Sequence, residues 1–282
     1  MADEITLEVK CPFEGCENSK KIKVPSYIFD NKEFGSVKVQ INRGIVCDQH
    51  QFVIFVDKKG RIRSYEKIDI QLEVERKEKE TLDEDVDLND IVSVIGDFAL
   101  LNVLHALFLD IPVVIIVEEE SDKRQTLLNN VCRNLFPELF ESKKPLKFVN
   151  RTDYRKFKIK NLLAIDEKGF VLATPWTINQ FDFEEFLLKK SLGAKDFKAQ
   201  AVIFQQGITN FIKKVEYIQD LLKNKDVLYE EDIKSELTDH FMQKKVTDYD
   251  IDLIKEVLKF RYLEDISKIK LRSFDKLKES LW

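Results

Sequence analysis

Asp97-Phe-Ala-Leu-Leu-Asn-Val-Leu-His-Ala-Leu-Phe108, followed by Pro112-Val-Val-Ile-Ile-Val117, is the stretch that decides the fold class. Together with Ile91, Val94 and Ile95 just upstream, the side chains of Phe98, Leu101, Leu104, Leu107 and Phe108 recur at helical spacing. That spacing predicts one buried amphipathic helix starting at Ile91. Pro112 lacks the amide donor that a continuing helix needs, so the helix stops before it. Val113 to Val117 is apolar throughout and β-branched, the pattern of a strand covered on both faces.

Working outward from this stretch, a second helix spans roughly Lys123 to Leu135 and ends at Phe136-Pro137. Two apolar strands follow, Leu162–Ile165 and Phe170–Ala173, joined by Asp166-Glu-Lys-Gly169. Helix, buried strand, helix and strands in this order predict an α/β layer structure. Phe183–Leu192 and Phe197 to about Lys223 read as helices. Beyond Tyr229 come three helix-like stretches, Glu230–Leu237, Asp250–Phe260 and Phe274–Leu281, with Asp248 as N-cap of the middle one. A strand candidate at Ile266–Leu271 would complete a winged helix; a simple helical bundle is the alternative.

Toward the N-terminus the period changes from helical to two. Ile5–Val9, Lys21–Val24 and Val37–Ile41 alternate apolar with polar residues, as half-buried strands do. Phe52–Val56 and Arg61–Ile68 flank Asp57-Lys-Lys-Gly60, a hairpin turn. The charged stretch from Glu73 to Asp90 marks the clearest boundary. The expectation is an α+β multidomain chain: a β-rich, zinc-ribbon-like module over 1–75, an acidic linker over 76–90, a central α/β domain over 91–192, and a helical or winged-helix domain over 193–282.

Composition narrows the function classes. The 282 residues carry a net charge of −5, which argues against a surface that binds nucleic acid or anionic membrane over its whole extent. The longest apolar run, Ile111 to Val117, is a strand's length and far below the roughly 20 residues that span a bilayer. The start, Met-Ala-Asp-Glu-Ile, shows no basic region leading into an apolar one, so no signal peptide is expected. Reduced thiols fit a cytoplasmic protein better than a disulfide scaffold does.

The chemistry concentrates in two short pairs, Cys11-Pro-Phe-Glu-Gly-Cys16 and Cys47-Asp-Gln-His50. Thiolate sulfur and neutral imidazole are the donors zinc prefers, and two close pairs from separate loops complete a tetrahedron. Pro12 and Gly15 suit a tight turn around an ion. Four protein ligands leave no open position, so such a zinc would staple structure rather than activate water. The competing reading makes Cys47 a buried strand residue and His50 the start of the next strand.

Other candidates weigh less. His105 sits in the apolar helix and reads as hydrogen-bonded core, His240 as a surface or helix-end residue, and Cys132 as core. Glu118-Glu-Glu120 follows the buried strand where α/β folds place their binding loops, and could hold a divalent metal; a solvated loop is the commoner outcome. Lys143, Lys144, Lys147, Arg151, Arg155, Lys156, Lys158 and Lys160, interleaved with Phe148, Tyr154 and Phe157, form the one basic run. Such a run suits nucleic acid or an acidic protein, or is simply an exposed face. Neither a G-x-x-x-x-G-K-[S/T] loop nor a G-x-G-x-x-G fingerprint is present.

Two resemblances add to this reading. Cys11…Cys16, Gly44-Ile-Val-Cys-Asp-Gln-His-Gln-Phe52, Val56-Asp-Lys-Lys-Gly-Arg-Ile-Arg-Ser-Tyr65 and Asp69 resemble a small module at the front of many uncharacterised archaeal proteins, one without an assigned activity. Asp97 to Phe108, Pro112 to Val117, Leu127-Leu-Asn-Asn-Val-Cys-Arg-Asn-Leu-Phe-Pro137 and Leu163-Ala-Ile-Asp166 resemble the core of DENN-type domains. Those domains act on small GTPases by exchanging nucleotide through surface contacts, without covalent catalysis. The resemblance implies a regulator or scaffold of small GTPases, with no individual exchange residue carried over. The leading expectation is therefore a non-enzymatic interaction protein with structural zinc. The alternatives are a transcription-type protein touching nucleic acid or polymerase, and a hydrolase built on the acidic loop at Glu118–Glu120.

Overall fold

The computed structural model describes residues 4–29, 36–41, 43–67, 88–117, 122–143, 145–154, 156, 161–176, 181–242 and 245–272. It is a mixed α/β structure that divides into two compact units, Met1–Leu107 with Ile111–Val202, and Phe108–Asp110 with Ile203–Trp282.

In the first unit, β1 (Glu4–Lys10) and β2 (Ser19–Pro25) pair antiparallel from Glu4↔Pro25 to Lys10↔Ser19. β3 (Ser36–Ile41), β4 (Phe52–Asp57) and β5 (Ile62–Lys67) form a second antiparallel sheet in chain order. The period-two reading places β1, β2 and β3 because each half-buried strand sends alternate side chains to the core, and the hairpin reading places β4 and β5. Leu7, Val9, Val37 and Val39 are all at most 2% exposed.

The apolar run 91–108 is not one helix. It forms α1 (Leu88–Ile95) and α2 (Asp97–Phe108), bent by 113°. Gly96 sits between them at φ +82°, a left-handed conformation that terminates α1 and that a side chain would disfavour. Asp97 then starts α2, its carboxylate accepting from the Phe98 amide at 2.8 Å. Apolar spacing continues through the break, which is why periodicity alone reads it as continuous.

β6 (Val113–Val117) is buried at every position, as its β-branched run implies. α3 (Asp122–Leu135), α4 (Pro137–Ser142), β7 (Leu146–Asn150) and α5 (Arg151–Tyr154) follow. β8 (Leu163–Asp166) and β9 (Val171–Ala173) complete a four-stranded sheet ordered β7-β6-β8-β9. β6 runs parallel to β7 and β8, while β9 returns antiparallel. β7 places Lys147 and Phe148 of the basic run on a strand; Lys144, Arg155, Phe157, Lys158 and Lys160 lie outside the described residues.

The two faces of β6 meet different layers. Val114 and Ile116, with Ala164 and Leu172, share one hydrophobic cluster with Leu7, Val24, Val39, Phe52 and Ile54. Ile115 and Val117 face the opposite way, toward Ile91 and Ile95 of α1 and Leu128 of α3. Polar contacts tie the same layers. The buried Asp97 carboxylate accepts from Gln40 Nε2 at 3.0 Å and Gln51 Nε2 at 2.9 Å. α6 (Asp182–Leu192) and the first turns of α7 (Phe197–Asn224) complete the unit, and Gln200 Oε1 accepts from the Leu88 amide at 3.2 Å.

The second unit holds the rest of α7, then β10 (Leu228–Tyr229), α8 (Glu230–Phe241), α9 (Asp248–Phe260) and β11 (Ile269–Lys270). β10 and β11 pair in parallel. The cap of α9 is Thr247, one residue before the expected Asp248: its hydroxyl accepts from the Asp250 amide while Asp250 accepts from the Thr247 amide. Ile266–Lys268 is a 3-10 turn leading into β11, so the strand candidate there is shorter than expected. The helix expected at Phe274–Leu281 lies outside the described residues. Among the described residues, no single helix is long and apolar enough to cross a membrane.

Candidate metal centre

The centre is built on two turns. Cys11 follows directly on β1, and the chain returns to β2 through a loop closed by Cys11 N–H donating to Asn18 O at 2.9 Å. Within it, Cys16 N–H donates to Phe13 O at 3.1 Å, and Gly15 takes φ +78°. The second turn lies between β3 and β4, where Gly44 at φ +83° donates its amide to Cys47 O at 2.9 Å. His50 N–H donates to Cys47 Sγ at 3.3 Å, so the backbone already points a donor at the sulfur. Positive φ at both glycines lets each turn fold back and place two donor side chains on one side.

These turns bring all four expected ligands together. One donor atom from each of Cys11, Cys16, Cys47 and His50 lies within 4.8 Å of every other. Cys11 Sγ and Cys47 Sγ are 3.6 Å apart, and His50 Nδ1 lies 3.5 Å from Cys11 Sγ and 3.4 Å from Cys47 Sγ. Cys11 and Cys47 are buried; Cys16 and His50 are half-buried. The reading in which Cys47 is only a strand residue fails, since Cys47 lies in a turn and β4 begins at Phe52.

Electrostatics differ among the thiols. Burial pushes the Cys11 thiol up to about 12, with the neighbouring Cys16 and Cys47 adding to it. The Asn18 backbone amide, donating to Cys16, holds that thiol below its ordinary value. A soft cation replacing the protons would remove the burial penalty on Cys11 by neutralising its thiolate. The four side chains could together hold a metal ion.

Aromatic contacts hold the imidazole. Phe13 stacks on His50 with ring centroids 4.1 Å apart and planes 6° from parallel. Lys67 Nζ covers the same phenyl ring at 5.3 Å. Phe13 lies inside the first Cys pair, yet only the fold shows that its ring meets His50.

The other candidates resolve separately. His105 is 2% exposed, and its Nδ1 lies 2.9 Å from Oε1 of the fully buried Glu184. Trp176 and Phe181 meet the imidazole edge-on at 4.8 and 5.3 Å, so His105 is enclosed core, as its apolar helix suggests. Sequence reasoning did not name Glu184. A signal existed: Glu184 falls three, four and seven residues before Leu187, Leu188 and Ser191, on the buried face of α6. Cys132 is 0% exposed core. His240 is exposed near the end of α8 and stacks on Tyr217 at 4.2 Å. Glu118–Glu120 lies outside the described residues. At the carboxyl ends of β6 and β8, Ile95, Val117, Leu128 and Phe148 line a cleft of about 450 Å³ including the space at its mouth. No protein-family model matches the chain, and no curated protein does either.

Proposed function

We propose that this chain is a zinc-stapled, non-enzymatic interaction protein of a reducing compartment. One observation carries the zinc assignment: the separations between donor atoms. With Zn–S of about 2.3 Å and Zn–N of about 2.0–2.1 Å, a regular tetrahedron has S···S edges of about 3.8 Å and S···N edges of about 3.5 Å. The 3.6, 3.5 and 3.4 Å separations sit at those edges. Three sulfurs and an imidazole also select a soft ion over magnesium or calcium, which take oxygen. Four protein ligands close the coordination shell, so the ion holds the β1–β2 turn to the β3–β4 turn and performs no chemistry of its own.

For the interaction, the most concrete version is a regulator or scaffold of small GTPases. It rests on the DENN-type resemblance of Asp97 to Phe108, Val113 to Val117 and Leu163 to Asp166. In keeping with it, these residues form a helix, a central parallel strand and its neighbour. The nucleic-acid alternative gains nothing from α9, where Asp248, Asp250, Asp252 and Glu256 would repel phosphate. The test loads a panel of small GTPases with GDP, with a GTP analogue, or with no nucleotide, and measures binding to the full chain and the rate of nucleotide release. Preference for the nucleotide-free form with faster release supports an exchange role; equal affinity for all three forms sinks it. Zinc content by elemental analysis is read on the same preparation, with one ion per chain expected.

A further inference from the structure

We infer that the metal centre is also an oxidation site, where a peroxide-class oxidant forms a Cys11–Cys47 disulfide and displaces the metal. Only the metal's release rests on the zinc reading above; the sulfur chemistry holds for the metal-free chain as well. The geometry that points to this bond is the 3.6 Å separation of Cys11 Sγ and Cys47 Sγ. A disulfide is about 2.05 Å long, so closure needs the two sulfurs to approach by roughly 1.5 Å. Cys11 follows β1 and Cys47 sits in the turn before β4, so the new bond replaces the ion's link between the two turns with a covalent one.

Entry is set by exposure. Cys11 and Cys47 are each 4% exposed, whereas Cys16 is half-buried and is the sulfur that an oxidant in solution reaches first. The Cys16 sulfur attacks one peroxide oxygen, the O–O bond breaks, and the sulfur is oxidised by two electrons to the sulfenic acid as water leaves. Cys47 attacks that sulfur, the S–O bond breaks, and a second water carries away the oxygen. Cys11 then attacks Cys47 Sγ, giving up its proton, and the departing Cys16 sulfur takes up a proton as it leaves. The net change is two thiols and one hydrogen peroxide giving one disulfide and two waters. The exchange ends at Cys11–Cys47 because those two sulfurs already lie 3.6 Å apart and are both buried, so the bond closes with the least rearrangement. With two of its sulfurs no longer thiolates, the centre cannot retain the ion.

The test treats the full chain with stoichiometric hydrogen peroxide in two parallel samples, one zinc-loaded and one stripped by chelator. Zinc release is followed with a chromogenic chelator; free thiols are then alkylated and the digest mapped by mass. The expected product is a Cys11–Cys47 linked peptide with Cys16 and Cys132 alkylated, and zinc lost in step with the bond. Cys16→Ser should slow formation with peroxide relative to the parent, yet still yield the bond with diamide, which needs no sulfenic acid. A Cys11–Cys16 bond, Cys16 sulfinic acid without a disulfide, or reduced thiols with the zinc retained overturns the inference. If the untreated chain takes up no zinc but the metal-free sample forms Cys11–Cys47, the zinc reading falls and the oxidation site stands.

Discussion

Replacing Phe13 with alanine tests whether the stacked ring is what holds the fourth ligand in place. The phenyl ring lies 4.1 Å from the His50 ring and 6° from parallel, with Lys67 Nζ 5.3 Å from the phenyl centroid on top. An aromatic pair contributes about 0.5–1.5 kcal/mol beyond its buried area, and an exposed cation over a ring about 0.5–1 kcal/mol. Without them the imidazole must be ordered at the moment of metal binding, so up to about 1–2.5 kcal/mol transfers into the zinc affinity. At about 1.4 kcal/mol per decade, Phe13→Ala should weaken zinc binding between about 5-fold and about 60-fold. Lys67→Ala, which removes only the cation, should weaken it about 2- to 5-fold. His50→Ala sets the upper limit, because it deletes a ligand outright. The assay is a competitive titration of the full chain against a chromophoric zinc chelator, with far-ultraviolet circular dichroism as a check that the strands persist. A Phe13→Ala dissociation constant within two-fold of the parent would refute the argument, as would a Lys67→Ala effect larger than that of Phe13→Ala.

Two further expectations concern stability. Glu184→Ala removes the carboxylate 2.9 Å from His105 Nδ1 inside a core where both residues are at most 2% exposed; leaving the buried imidazole without that partner should cost about 1–3 kcal/mol in urea unfolding, and Glu184→Gln, which keeps an acceptor, markedly less. A loss below about 1 kcal/mol for the alanine variant would show that the pair does not hold α6 to α2. Asp57 accepts from the Arg61 and Lys59 amides and pairs with Arg63, which holds its carboxyl down to about 2, led by the Arg61 amide. Because the folded value lies below the ordinary one of 3.8, this stabilisation is complete above about pH 4 and is lost as the pH falls toward 2. Acid titration of the β4–β5 hairpin, followed by amide exchange, should show that loss in the parent and not in Asp57→Asn.

Local physics made much of this protein legible in its sequence. Period-two alternation marks β1 to β3 because a half-buried strand needs it, and the β-branched run at Val113–Val117 marks a strand buried on both sides. The four candidate ligands were legible because donor type and close spacing within each pair are properties of a few consecutive residues, and Pro12 and Gly15 suit a tight turn. Long-range choices were not legible. Apolar spacing from Ile91 to Phe108 is the same for one straight helix as for two helices bent by 113°; the break comes from Gly96 at φ +82° and the Asp97 cap, which the spacing does not register. The Thr247 cap beat Asp248 by one residue because the reciprocal bond with Asp250 closes only from Thr247. His105 announced itself as buried, but its partner Glu184 lies 79 residues away, and no local pattern joins them. The sequence alone marked the N-terminal strands, β6, β8, β9 and the long helices, and the residues that could hold an ion, since these follow from neighbouring side chains and backbone preference; it did not mark α4, β7 or α5. Tertiary structure alone decided that one face of β6 packs on the N-terminal strands and the other on α1 and α3. It also decided that Phe13 lies on His50, because those contacts form between segments distant in the chain and are fixed by how whole layers pack.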